Sequence, residues 1–176
     1  MGSTRFVKAM CAVVLFNGSL YLSLKEEAIA GEKDDLAKKY TEDLRKSKDA
    51  KVRVTALQEL GSLAQIKKSL AKDALPDIYK ALEDKDAGVR AAAAETLGKA
   101  DEPYEKAGSV LVKLLKDDKE EGVKIGAAKG LAAMGTSAKD SLPALREIQK
   151  ANAGDKKSKL GAAVKTAITS ISGAKK

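Results

Sequence analysis

The sequence predicts an all-α fold, an α-solenoid of stacked two-helix units, and three observations carry that expectation. First, a skeleton recurs. Lys85-Asp86-Ala87-Gly88-Val89-Arg90, continuing to Leu97-Gly98, is matched 37 residues earlier by Lys48-Asp49-Ala50-Lys51-Val52-Arg53, continuing to Leu60-Gly61, and 34 residues later by Glu120-Glu121-Gly122-Val123-Lys124, continuing to Leu131. Self-similarity at such a period is the mark of a stacked-helix array. Second, apolar residues inside each copy recur every three to four positions, the spacing of one helix face. Third, the 176 residues are 44% hydrophobic but only 3% aromatic, with no Trp. A core built from Ala, Leu, Ile and Val suits closely packed helices better than a sandwich of sheets.

Met1 to Lys8 carries Arg5 and Lys8, the stretch Ala9 to Leu24 is mainly apolar, and Ala28-Ile29-Ala30 follows. This order is that of a secretory signal peptide over residues 1–30 cut after Ala30, which predicts a periplasmic or secreted protein. The alternative is a membrane anchor formed by an uncleaved N-terminal segment, although a span wants about 20 apolar residues. Residues 31–47 are expected to hold a polar linker, Gly31 to Asp35, and then a capping helix with Leu36, Tyr40 and Leu44 on one face.

The repeat domain is expected over 48–172, as units 48–84, 85–117 and 118–152 and a half-unit 153–172, with 173–176 as a basic tail. In the first unit Asp49 is placed to cap a helix carrying Val52, Ala56, Leu60 and Leu63. After a loop around Gln65 to Lys72, a second helix opens near Asp73 with Pro76 in its first turn and Leu75, Ile78, Tyr79 and Leu82 inward. The second unit repeats this with Asp86, then Val89, Ala93 and Leu97, with Pro103 in the loop and Val110, Leu111, Leu114 and Leu115 on the partner helix. In the third, Val123, Ala127 and Leu131 take the same places, Gly135 closes the helix, and Leu142-Pro143 echoes Leu75-Pro76 67 residues earlier. The half-unit aligns Lys159 to Ala163 with Lys124 to Ala128 and reads as a C-terminal cap.

Superposing the units produces a column of small residues, Ala56, Ala93, Ala127 and Ala162, flanked by Val52, Val89, Val123 and by Leu60, Leu97, Leu131. Small side chains in register let neighbouring helices approach. Polar columns recur too: Asp49, Asp86, Glu120 and Asp155, and four residues on Arg53, Arg90, Lys124 and Lys159. An acid and a base at this spacing meet within one helical turn or bridge one repeat to the next, which is scaffold chemistry rather than catalysis.

The start D-x-x-V-R and the following A-x-x-x-L-G resemble a HEAT repeat, of the short type found in phycobilin lyases, over residues 48 to about 171. The resemblance implies a right-handed superhelix of about three repeats between terminal capping helices. It also implies a surface, lined by the second helix of each unit, that holds another macromolecule. Glu120 and Lys124 depart from the motif in the third unit. Enzymes with similar repeats depend on residues this chain lacks: deoxyhypusine hydroxylases hold iron with His–Glu pairs, and alkylpurine glycosylases cradle DNA with Trp. There is no His or Trp. Phycobilin-lyase-like activity is kept as a remote alternative.

The expected function is therefore a non-enzymatic scaffold or adaptor for an unidentified protein partner, with no cofactor, metal or catalytic group. The candidate contact residues on the second-helix ridge are Tyr79, Lys80, Lys113, Lys116, Arg146 and Lys150, whereas Asp49, Arg53, Asp86, Arg90, Glu120 and Lys124 are structural repeat positions. The alternative is a polyanion binder for nucleic acid or acidic polysaccharide, from the net charge of +8 and six lysines in residues 151–176. Nucleic acid is disfavoured, because single-strand binders add aromatic stacking that so few Tyr barely supply. A membrane contact is expected only if the N-terminal segment stays attached.

Overall fold

In the computed structural model the described residues are 18–100, 102–155 and 157–173, with side chains described from Gly31 onward, and they contain helices and no strand. By internal contacts the chain divides into Met1–Leu36 and Ala37–Lys176. Most of the expected signal peptide or anchor, residues 1–17, lies outside the described residues. Among those described, no helix is long and apolar enough to cross a membrane.

Helix α1 runs Gly18–Lys46 without interruption, so the linker expected at 31–35 is helical instead. Glu32-Lys33-Asp34-Asp35 is polar but contains no Pro, and one Gly costs a helix only about 1 kcal/mol relative to Ala. From Ala37 onward the buried face is Ala37, Thr41 and Leu44, with Tyr40 half-buried beside them. Thr41 buries its hydroxyl by donating to the Ala37 carbonyl at 2.7 Å.

The repeats follow as α2 (Ala50–Ile66), α3 (Leu75–Ala81), α4 (Ala87–Lys99), α5 (Tyr104–Asp117), α6 (Glu121–Met134), α7 (Leu142–Ala151) and α8 (Lys159–Ser172). First helices α2, α4, α6 and α8 pack in sequence, and α3, α5 and α7 form the second layer. The first and third units reach their second helix through a 3₁₀ segment, Lys68–Ala74 and Gly135–Ser141. Each then starts the α-helix with Pro near the first position, where the missing N–H costs nothing. The second unit has no such segment, and Pro103 itself stands at the cap.

Capping follows the expected column in two units. The Asp49 carboxylate accepts the Lys51 N–H at 2.8 Å and that of Asp86 accepts the Val89 N–H at 3.0 Å. Glu120 occupies the cap of α6 but makes no side-chain cap bond. In the half-unit the cap is Ser158, whose hydroxyl accepts the Gly161 N–H at 3.0 Å, and not Asp155. Asp155 instead accepts the Lys157 N–H, as Asp84 accepts that of Asp86 and Asp118 that of Glu120. Asp155 thus matches Asp118, 37 residues back, and the turn before α8 is one residue longer. The packing register shifts with it. Buried Val164 takes the place of Ala127, whereas Ala162, expected in the small-residue column, faces solvent.

Ala56, Ala93 and Ala127, with Leu60, Leu97 and Leu131, are buried as expected, and so are Val89 and Val123. Val52 departs from its column at 39% exposure, because the first unit has no preceding unit to cover that flank. Glycines bring α4 and α6 closest. A methyl group built at Gly98 would run into the Gly130 backbone, one at Gly126 into the Ala91 backbone, and one at Gly130 into the Ala94 carbonyl. Thr96 adds the only buried side-chain hydroxyl bond seen between the first helices among the described residues, donating to the Leu57 carbonyl of α2 at 2.8 Å.

Candidate protein-binding surface

The recurring acid and base columns do not pair with each other. Arg53 passes over Asp49, which is occupied in capping, and forks onto Asp84 of the next inter-unit turn, Nε to Oδ2 at 3.0 Å and Nη2 to Oδ1 at 2.9 Å. Its remaining Nη1 donates back to the Ser47 and Lys48 carbonyls. Arg90 repeats the arrangement one unit on, forking onto Asp118 at 2.9 and 3.1 Å and donating to the Asp84 and Lys85 carbonyls. These four side chains are 9–17% exposed. The planar five-donor guanidinium is what makes the fork possible. Lys124, with one ammonium, reaches only the Lys116 carbonyl at 3.1 Å.

The Arg90 guanidinium, aided by the Glu120 N–H, holds the Asp118 carboxyl below the usual carboxylate range against the opposing effect of burial. At Asp84 burial pushes upward most strongly, yet the Asp86 N–H and Arg53 together outweigh it and the net displacement is again downward. A carboxyl lowered in the folded state contributes stability that is present above its unfolded pKa, near 3.9, and disappears as pH falls through the folded value. Thermal melts from pH 7 to pH 2.5 should therefore show Asp118→Asn less stable than wild type at neutral pH, with the gap closing below about pH 4. A gap constant across that range would mean that the carboxylate charge contributes nothing.

An open groove of about 680 Å³ runs between α3 and α5. Its walls are Tyr79 and Lys80 from α3, Glu83 from the turn after it, and Val110, Lys113 and Leu114 from α5, and it ends at Asp117 and Asp118. Val110 and Leu114 were expected inside with Leu111 and Leu115, but only Leu111 and Leu115 are fully buried. The apolar stripe of α5 is wider than the core it faces, and the surplus lines the groove. The Tyr79 hydroxyl donates to Glu102 of the following unit's loop at 3.2 Å. Burial first, then the Glu102 charge and this bond, push the phenol up to about 12. Tyr79 is thereby a neutral, oriented wall at any ordinary pH.

Three of the six candidate contact residues, Tyr79, Lys80 and Lys113, thus converge on one groove. Lys80 also borders a second groove of about 660 Å³ beside α1, where Arg45 forks onto Asp77. Lys150 belongs to a third, of about 560 Å³, between α7 and α8. Lys116 and Arg146 line none of them: Lys116 pairs with Glu147 of α7 at 2.9 Å, and Arg146 is exposed. Sequence spacing missed Glu83, Asp117 and Glu102, because their roles come from neighbours about 20 to 35 residues away in the chain. The paired acids Glu83-Asp84 just after α3 and Asp117-Asp118 at the end of α5 were the available signal. Among the described residues no group of His, Cys, Asp and Glu could hold a metal ion.

The family model for HEAT repeats matches residues 38–132, more than half of the chain. The chain belongs to the HEAT-repeat family. The match begins within α1 and ends inside α6, so it takes in the Arg53 and Arg90 forks and the α3–α5 groove. HEAT repeats are a protein-interaction scaffold kind of module. No curated protein is detectably similar to the chain.

Proposed function

We propose that this HEAT-repeat protein is a non-enzymatic scaffold that binds another protein through the surface of its second helices, with the groove between α3 and α5 as the principal contact. The groove itself supports this reading best. It combines a half-buried apolar floor, Val110, Leu114 and the Tyr79 ring, with exposed Lys80 and Lys113, and acids Glu83 and Asp117 lie three and four residues farther along the chain. Apolar area supplies affinity, and charges of both signs fix orientation. The Arg90–Asp118 fork sits at its end and, with the Arg53–Asp84 fork one unit earlier, holds the helices in register, so little ordering is left for binding to do.

Interleaved acids favour a protein over a polyanion as the occupant, because a phosphate or sulfate backbone would meet Glu83 and Asp117 as well as the lysines. Affinity capture from the native extract should recover partners with wild type and lose them with Lys80→Glu/Lys113→Glu, whereas Arg146→Glu/Lys150→Glu outside the groove retains them. Matching circular dichroism melts would confirm that all three proteins are folded. Identical partner sets for all three would reject the groove.

The basic, apolar and A-x-A order of residues 1–30 supports placing this scaffold outside the cytoplasm, periplasmic or secreted. The N-terminal sequence of the natural protein tests it. A start at Gly31 is expected, and a start at Met1 or Gly2 would leave the chain anchored or unexported.

A further inference from the structure

We infer that the C-terminal half-unit, α8, is a releasable cap that opens on its own while the rest of the array stays closed. The inference rests on where the arginine forks stop. At the N-terminal end Arg45 of α1 forks onto Asp77 of α3, Nη2 to Oδ2 at 2.7 Å. Arg53 joins the first turn to the second and Arg90 the second to the third, each with two bonds to a carboxylate and two to backbone carbonyls. The series ends at Lys124, which holds the Lys116 carbonyl of its own side of the junction and makes no hydrogen bond to the described residues of the turn before α8. Asp155 stands where Asp84 and Asp118 stand, and it lies 31 residues after Lys124 as Asp84 does after Arg53, but among the described residues its carboxylate accepts only the Lys157 N–H.

Among the described residues the α8 junction is therefore held by apolar contact, through Leu160, Val164, Ala167 and Ile171, and by one neutral hydrogen bond, from the Ser158 hydroxyl to Asn152 at 3.2 Å, with no charged pair. An end unit has one neighbour, and in a linear array each junction opens according to its own interface. Among the described residues α6–α8 is the one junction of successive first helices without a fork, which places the opening there. It uncovers the flank of α6 that α8 packs against and leaves the α3–α5 groove, between the two forked junctions, intact.

Native-state hydrogen exchange on the full chain tests this. Amides of α8 are expected to exchange at least ten times faster than those of α4, and in a range of denaturant where α4 still exchanges slowly. Lys124→Arg, which supplies the missing fork, should slow α8 exchange by about tenfold, the lower end of what a charge-assisted hydrogen bond contributes, with no such gain in Lys124→Arg/Asp155→Asn. Arg90→Lys should produce the reverse at the preceding junction, with faster exchange from α6 onward and α2 unchanged. Equal protection of α8 and α4 in wild type would overturn the releasable cap, as would an arginine gain that survives in the Asp155→Asn background.

Discussion

Leu97→Asp is expected to leave no cooperative melt at neutral pH. Leu97 is fully buried in α4, which packs on α2, α3, α5 and α6 and so touches every unit but the half-unit. Truncating such a side chain alone costs about 2–5 kcal/mol, and a carboxylate with no partner at the same place adds several more by desolvation. A domain of this kind has about 5–15 kcal/mol in total. Circular dichroism should show wild type melting cooperatively, removal of 155–176 lowering the midpoint by an intermediate amount, and Leu97→Asp without a transition. A cooperative melt for Leu97→Asp at least as high as that of the truncation would mean that the central units do not carry the stack.

Gly130→Ala has the second largest expected effect, and it sets three glycines of one helix against each other. Gly122, Gly126 and Gly130 recur every four residues along α6, yet their surroundings differ. A methyl group at Gly130 meets the Ala94 carbonyl and, at 3.1 Å, a methyl of Leu111, and one at Gly126 meets the Ala91 backbone. Backbone cannot rotate away as a side chain can, so α4 and α6 must separate. Overpacking of this kind costs about 1–3 kcal/mol, occasionally more. The midpoint of Gly130→Ala should fall by roughly 5–10 °C at this chain length. At Gly122 a methyl meets nothing, and Ala there should stabilise by up to about 1 kcal/mol through lower backbone entropy in the unfolded chain. Equal effects at Gly122 and Gly130 would reject the close α4–α6 approach.

Much of this architecture was legible in advance. The period of 34 to 37 residues, the stripes Ala56-Leu60, Ala93-Leu97 and Ala127-Leu131, the caps Asp49 and Asp86, and Pro76 at the start of α3 were read from spacing, and the structure places them as read. These features depend on contacts within a turn or on a repeated face, and local chemistry encodes both. The same reading failed where a neighbouring unit decides the outcome. Val52 keeps its column in sequence and is exposed in space, because it stands in the first repeat unit, with no earlier repeat packed on its flank. Asp155 looks like a cap, but the turn is one residue longer and Ser158 takes the role, which carries Ala162 out of the packed column.

The candidate surface divides in the same way. By itself the amino-acid sequence determined that the chain is a stacked-helix array, through its period, that it resembles the HEAT type, through the D-x-x-V-R and A-x-x-x-L-G motifs, and that its core is aliphatic, through its composition. Only the tertiary structure decided that Arg53 chooses Asp84 over Asp49 and Arg90 chooses Asp118 over Asp86, that Val110 and Leu114 face a groove instead of the core, and that Gly130 is indispensable where Gly122 is not. The physical reason is common to these cases. An acid four residues from an arginine is already engaged by the free N–H groups of its own helix end, and the arginine side chain is long enough to reach the next turn of the stack. What any residue meets beyond its own helix depends on which helix is laid against it, and that is set by packing across units rather than by the pattern within one.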